Sequence, residues 1–107
     1  MNQAARQQHD IFFAIADPTR RKMIQLLSKE KELALHELTP HFPIGRTAVT
    51  KHLTILNEVN LVYKRKVGRE TIFSFNGAPL QEIKDWVLYY EEFWRERGNL
   101  LKNILEE

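Results

Sequence analysis

No cysteine occurs anywhere in the 107 residues, which excludes disulfides, thiolate metal ligands and thiol nucleophiles. Serine is nearly as scarce. Ser28 and Ser74 are the only two, and neither has a histidine and an acid in a recognisable hydrolase context. Glycine occurs four times and never in a cluster, so there is no glycine-rich loop to cradle a phosphate. These absences argue against an enzyme, and no cofactor is expected. Long apolar runs are missing too, since nothing approaches the ~20 residues that cross a bilayer. The first stretch, "MNQAARQQHD", lacks the apolar segment of a secretion signal. The expectation is a cytoplasmic protein with no membrane insertion.

What remains is a chain of ordinary soluble composition, 43% hydrophobic and 28% charged, without repeats or low-complexity tracts. Its length suits one domain, residues 1–107, rather than two. The net charge is only +2, but it is unevenly placed. Arg46 to Arg69 holds six basic residues and one acid, Glu58, whereas Leu80 to Glu107 holds four basic residues and seven acids. The middle of the chain is suited to a polyanion, and the tail is not.

The hydrophobic pattern sets out the elements. A first helix is expected over about 3–15. Asp17 can cap a second that starts at Pro18, where the missing proline N–H would have no partner anyway. Met23, Ile24, Leu26 and Leu27 would face its core. A short helix around Leu35 to Leu38 ends before Pro40, "TPHFPIG" reads as a turn, and another helix runs from about Arg46 to Glu58. Together, residues about 34–58 form a helix-turn-helix pattern. "LVYKRKVGRETIFSF" then changes to strand character around Gly68, so about 61–75 reads as a hairpin wing. From Leu80 the apolar positions Leu80, Ile83, Val87, Tyr90, Trp94, Leu101 and Ile104 recur three and four apart, with Arg97 interrupting. One helix of roughly seven turns over about 80–105 follows from this spacing. Its stripe is wider than a small domain can cover. A second copy is the simplest cover, which makes those residues a dimer interface, with the first helix as a further dimerisation element. The aromatics Trp86, Tyr89, Tyr90, Phe93 and Trp94 read as dimer core, or alternatively as the lining of a pocket for a hydrophobic effector.

The fold class is therefore mainly α with a small β-hairpin: a winged helix-turn-helix with a long C-terminal dimerisation helix. The helix at Arg46 has an apolar back, Val49, Leu53 and Leu56, and a front of Arg46, Thr47, Thr50, Lys51 and Thr54. A major groove admits one α-helix whose outward side chains meet base edges. Arg46 could donate twice to a guanine. Thr47 and Thr50 could bond bases or phosphates and touch a thymine methyl, and Lys51 suits the backbone. On the wing, Lys64, Lys66 and Arg69 could neutralise phosphates, or Arg69 could enter a narrow minor groove. Arg20 and Arg21, on the exposed side of the second helix, are candidate backbone contacts, although helix-surface arginines are usually just solvated. His52 reads as a packed, hydrogen-bonded residue. His9 with Asp10, and His36 with Glu37 and His41, lack a third ligand at metal-site spacing, so no metal site is expected.

In register with this reading, "ADPTRRKMIQLL", "TAVTKHLTIL" and "LVYKRKVGRETIFSF" resemble the second helix, recognition helix and wing of the ArsR/SmtB repressors. "PLQEIKDWVLYYEEFWRERGNLL" is similar to the tail of that family's metal-free branch. The resemblance covers about Ala14 to Phe75 and then the tail. It implies a dimeric transcriptional repressor that leaves its operator when an effector arrives. A homodimer with two recognition helices is expected on a palindromic operator of double-stranded DNA, and the residues leave open release by an effector, by a sequestering protein or by concentration alone. The chain departs from the family pattern where the third helix would carry two cysteines one residue apart, because Ala34 and His36 stand there. It also has no histidine after His52. Gly45 occupies a helix-capping position where the family often has serine. The rival reading is a protein-interaction module that keeps the winged helix as a scaffold and offers its basic face to an acidic partner.

Overall fold

The computed structural model describes residues 9–106. Helix α1, Ile11–Ile15, is capped by Asp10, whose Oδ1 accepts from the Phe13 N–H at 2.8 Å. The expected helix over 3–15 is therefore not continuous in its described part. Asp10 has extended backbone, φ −104° and ψ −178°, because its side chain serves as the cap instead of continuing a helix. Positions 3–8 of that expectation lie outside the described residues. Helix α2, Pro18–Glu30, begins as the sequence indicates, with Asp17 Oδ2 accepting from the Arg20 N–H at 3.0 Å and Pro18 leading. Met23, Ile24 and Leu27 are buried and Leu26 is half-buried.

Strand β1, Glu32–Ala34, follows after Lys31 turns the chain at φ +72°. It pairs antiparallel with β3 in the register Leu33↔Phe73, and so enlarges the expected two-stranded wing to a three-stranded sheet in the order β1-β3-β2. Three residues, Glu-Leu-Ala, carry too little alternation to mark a strand by themselves. Helix α3, Leu35–Leu38, is held at its start by Glu37 Oε1, which accepts from the Ala34 N–H at 2.8 Å. A 3-10 turn at Thr39–His41 leads into the helix α4, Arg46–Glu58.

Two residues past the end of α4, Asn60 has a φ of +63°, a left-handed turn that asparagine tolerates better than most residues. The Leu61 N–H then reaches back to Leu56 O at 3.0 Å. This closure aims the chain into β2, Val62–Val67, which pairs with β3, Glu70–Phe75. Gly68 has φ +62° in the two-residue turn between them, where glycine carries no Cβ penalty. The core gathers Leu27, Leu38, Val49, Leu53, Leu56 and Leu61, all 1% exposed or less. Truncating one such leucine to alanine costs about 2–5 kcal/mol, which makes the apolar back of α4 the anchor that fixes its orientation.

The single long tail helix is corrected to two. Helix α5 spans Leu80–Tyr89 and helix α6 spans Glu91–Glu106. At the joint the Tyr90 N–H bonds Val87 O, three residues back, at 3.0 Å, and Trp94 N–H resumes a four-residue bond to Tyr90 O at 3.0 Å. Neither proline nor glycine lies at the break. Instead, Trp86, Tyr89 and Trp94 all pack against the ring of Tyr90, and Glu91 and Glu92 open α6, where the helix dipole favours negative charge. Spacing alone does not register such a joint, because it keeps both stripes nearly in phase. No residue of α5 or α6 is buried. Leu80 and Ile83 are half-buried against the core of their own chain, so their place in the expected dimer face is partly taken. Val87, Tyr90, Trp94, Leu101 and Ile104 are exposed.

Candidate nucleic-acid interface

Because Val49, Leu53 and Leu56 are buried on the back of α4, Arg46, Thr47, Thr50, Lys51 and Thr54 are exposed on its front. The same helix periodicity produces both faces. Gly45 precedes the helix without a side-chain cap, and an added Cβ there would meet nothing within 4 Å. The first N–H groups of α4 thus lie open beside Arg46, where a helix N-terminus favours an anion. Thr54 is partly committed to its own helix, since its hydroxyl donates to Thr50 O at 3.0 Å. It still has acceptor capacity.

Three adjoining concavities tie this face to the wing. Arg46, Thr47, Thr50 and Lys51 line one. Thr50 and Thr54 share a second, of about 130 Å³, with Lys64 of β2 and with Thr71 and Phe73 of β3. Arg46 shares a third, of about 160 Å³, with Lys66 and Arg69 of the hairpin and with His36, Glu70 and Thr71. All eight residues expected to read DNA thus border one continuous surface, with Thr50 and Arg46 as its junctions. Chemically, it combines bidentate and single-point cation donors with hydroxyls, which suits both phosphates and base edges.

Two features of its electrostatics lie outside the sequence reading. Arg65, one of the six basic residues of this region, is engaged elsewhere, because its guanidinium donates twice to Glu32, at 3.0 and 3.1 Å. The two residues lie diagonally across β3, Arg65 opposite Ile72 and Glu32 opposite Ser74. That bond and the neighbouring charge hold the Glu32 carboxyl below its usual range and raise the Arg65 guanidinium above its own. Glu70 places a carboxylate in the hollow with Arg46, Lys66 and Arg69, 3.2 Å from His36 Nε2. The β1–β3 register brings these partners together, and no local motif signals it.

Arg20 is a correction. It is 7% exposed rather than on the surface of α2. Its Nε donates to Ala14 O at 2.7 Å, its Nη2 to Phe13 O at 3.2 Å, and its Nη1 lies 3.1 Å from His52 Nδ1. The guanidinium also stands over the Phe13 ring, 5.2 Å from its centroid. Arg21, which is exposed, donates to Ile15 O at 2.6 Å. The two arginines thereby take the carbonyls of Ala14 and Ile15 at the end of the short helix α1, and Arg20 shares that of Phe13 with the Ala16 N–H. Two cations placed just after a helix C-terminus are the signal that could have suggested this. His52 is half-buried and bonded, as expected. Partial burial pushes the Asp17 carboxyl up, but the Arg20 N–H, the charges of Arg20 and His52 and the Thr19 N–H hold it below its usual range.

Among the described residues, no group of three or more His, Asp or Glu side chains is placed to hold a metal, and no helix is long and apolar enough to cross a membrane.

Known proteins supply an independent comparison. The model of the family described as "Bacterial regulatory protein, arsR family" matches residues 17–64, from the cap of α2 into β2. The transcriptional repressor SdpR of Bacillus subtilis is 32% identical over 82 residues, a span covering 77% of this chain and 90% of that one. Among solved structures, an ArsR-like transcriptional regulator from Rhodococcus sp. RHA1 superposes with a TM-score of 0.71 at 30% identity, over 90% of this chain and 87% of that one. A possible transcriptional regulator for arsenical resistance superposes with a TM-score of 0.68 at 32% identity, over 80% of this chain and 91% of that one.

Proposed function

The chain belongs to the arsR family of bacterial regulatory proteins, and from that membership we propose that it is a homodimeric repressor that reads a palindromic operator in the cytoplasm. Its class is settled as a DNA-binding transcriptional regulator with a winged helix-turn-helix fold, not an enzyme. The finer reading rests on one observation above all: the exposed front of α4 is continuous with the wing cations, and Arg46 borders the same hollow as Lys66 and Arg69. Arg46, Thr47, Thr50, Lys51 and Thr54 would enter a major groove, while Lys64, Lys66 and Arg69 hold the flanking backbone. The first group supplies sequence preference and the second supplies affinity.

The dimer is supported by the tail. Trp94, Leu101 and Ile104 are each more than half exposed, and contiguous apolar surface of that kind marks an interaction face. With Leu80 and Ile83 engaged at home, Val87, Tyr90, Trp94, Leu101 and Ile104 carry the contact between copies. Two copies related by a two-fold axis present two recognition helices, so half-sites should lie about 34–36 Å apart, one turn of DNA. Residues 1–107 act as one domain in this account, with its reader at 34–58, its wing at 61–75 and its tail at 80–105. An effector or a sequestering protein would release the complex. No resident cofactor or metal enters it.

Sedimentation at micromolar concentration, alone and with a duplex carrying one or two half-sites, tests this directly. A dimer that occupies the two-half-site duplex as one cooperative unit is expected. A monomer, or two copies binding independently, would overturn the assembly.

A further inference from the structure

Away from the DNA face, Ile15 of α1, Arg21, Ile24 and Gln25 of α2, and Leu80, Ile83 and Lys84 of α5 enclose a cleft of about 420 Å³. That volume falls within the range of small-molecule sites. Its lining divides cleanly. Ile15, Ile24, Leu80 and Ile83 give an aliphatic floor without an aromatic ring to stack on, and every polar contributor brings N–H donors. No carboxylate lines the cleft, and among the described residues neither Arg21 nor Lys84 has one within ion-pair distance. Two cations and an amide over an aliphatic floor are complementary to an apolar body with an anionic, acceptor-only head.

We propose that this cleft binds a small aliphatic carboxylate, its chain on Ile15, Ile24, Leu80 and Ile83 and its head group between Arg21 and Lys84. Resting on the DNA-binding reading above, the site is the effector site of the regulator. The connection to the reader is short. Arg21 caps Ile15 O at 2.6 Å, and its neighbour Arg20 joins the last carbonyls of α1 to His52 on α4. A carboxylate that draws Arg21 toward Lys84 competes with that cap, loosens the end of α1 and disturbs the contact that orients α4. The ligand also bridges α2 to the first turns of α5, and so bears on how the tail sits against the DNA-reading body.

Decanoate is a suitable probe, below its micelle-forming concentration, with decanol as the uncharged control. Isoleucine methyl NMR of the full chain without DNA reports directly, because Ile15, Ile24 and Ile83 line the cleft while Ile44, Ile72 and Ile104 lie elsewhere. Saturable shifts largest at the first three are expected, with decanol at least tenfold weaker. Lys84→Gln, which alters neither the DNA face nor the dimer stripe, should weaken decanoate severalfold, leave decanol unchanged and keep DNA affinity without ligand. Decanoate should lower the DNA affinity of the parent chain more than that of Lys84→Gln. Equal affinity for decanol, shifts at Ile104 that exceed those of Ile15, Ile24 and Ile83, or methyls that do not respond because a second copy fills the cleft would each overturn the assignment. DNA binding measured without ligand is a separate result, so the effector site can fail while the regulator reading stands.

Discussion

Nη1 of Arg20 lies 3.1 Å from Nδ1 of His52, joining the first turn of α2 to the middle of the recognition helix across a separation of 32 residues. A guanidinium only donates, so this bond forms only with a neutral His52 ring, whose Nδ1 accepts while Nε2 carries the proton. Replacing Arg20 with methionine keeps most of the packing but leaves that nitrogen and the carbonyl of Ala14 without the partner they have here, while Phe13 O keeps the Ala16 N–H. Unsatisfied buried groups of this kind cost about 1–3 kcal/mol. Urea unfolding of Arg20→Met should show a loss of that size, and operator affinity should fall with sequence preference unchanged. A stability change within the experimental error would remove Arg20 from the framework that positions α4.

Arg46 and Arg69 border one hollow but are assigned different work. Arg46→Ala should relax base preference at one position per half-site, at about 1–3 kcal/mol per contact, and Arg69→Ala should weaken most sequences alike while flattening the salt dependence. Binding titrations on matched and single-substituted duplexes distinguish the two. Equal losses on all sequences for both variants would refute readout by Arg46.

Arg65 and Lys66 are neighbours on β2 with unequal availability, since Arg65 is held by Glu32. Lys66→Ala should lower the slope of log affinity against log salt by about one. Arg65→Ala should leave that slope nearly unchanged, whereas Glu32→Gln should release Arg65 and steepen it. A larger slope change for Arg65→Ala than for Lys66→Ala would contradict the assignment.

The Asp17 cap should appear in the pH dependence of stability. Its carboxyl is held below the ordinary carboxylate value in the folded chain, so its contribution is complete above that ordinary value and is lost as pH falls through the lower, folded one. Asp17→Ala should cost about 1 kcal/mol at neutral pH, as loss of a helix cap does. The gap from the parent protein should shrink in acid below about pH 4, where unfolded carboxylates titrate. Thermal denaturation of both proteins across pH 2–7 measures it, and a constant gap would contradict the cap's electrostatic part.

Much of this architecture was legible wherever one local rule dominated. Asp17 followed by Pro18 gives the start of α2, the Val49-Leu53-Leu56 stripe gives α4 its back, and Gly68 between β-branched and aromatic runs gives the wing. The misses share a physical origin, because each depends on contacts distant in sequence or on a joint that preserves periodicity. Strand β1 exists by pairing with residues some forty positions on. Arg65 is removed from the basic surface by Glu32, and Arg20 is drawn inward by carbonyls of α1 and by His52. The turn at Tyr90 hardly shifts the apolar stripe, so spacing cannot separate one helix from two. The exposed front of α4 was easier to read than these, because a helix with a buried back necessarily exposes its front.

Selection of binding sites from a random duplex DNA pool at near-physiological salt tests the central claim most directly. The account predicts enrichment of an imperfect palindrome with half-sites one helical turn apart, lost when Arg46 is replaced by alanine. Recovery of no shared sequence, with DNA retained only at low salt, would contradict it and leave the basic face as an electrostatic surface for an acidic partner.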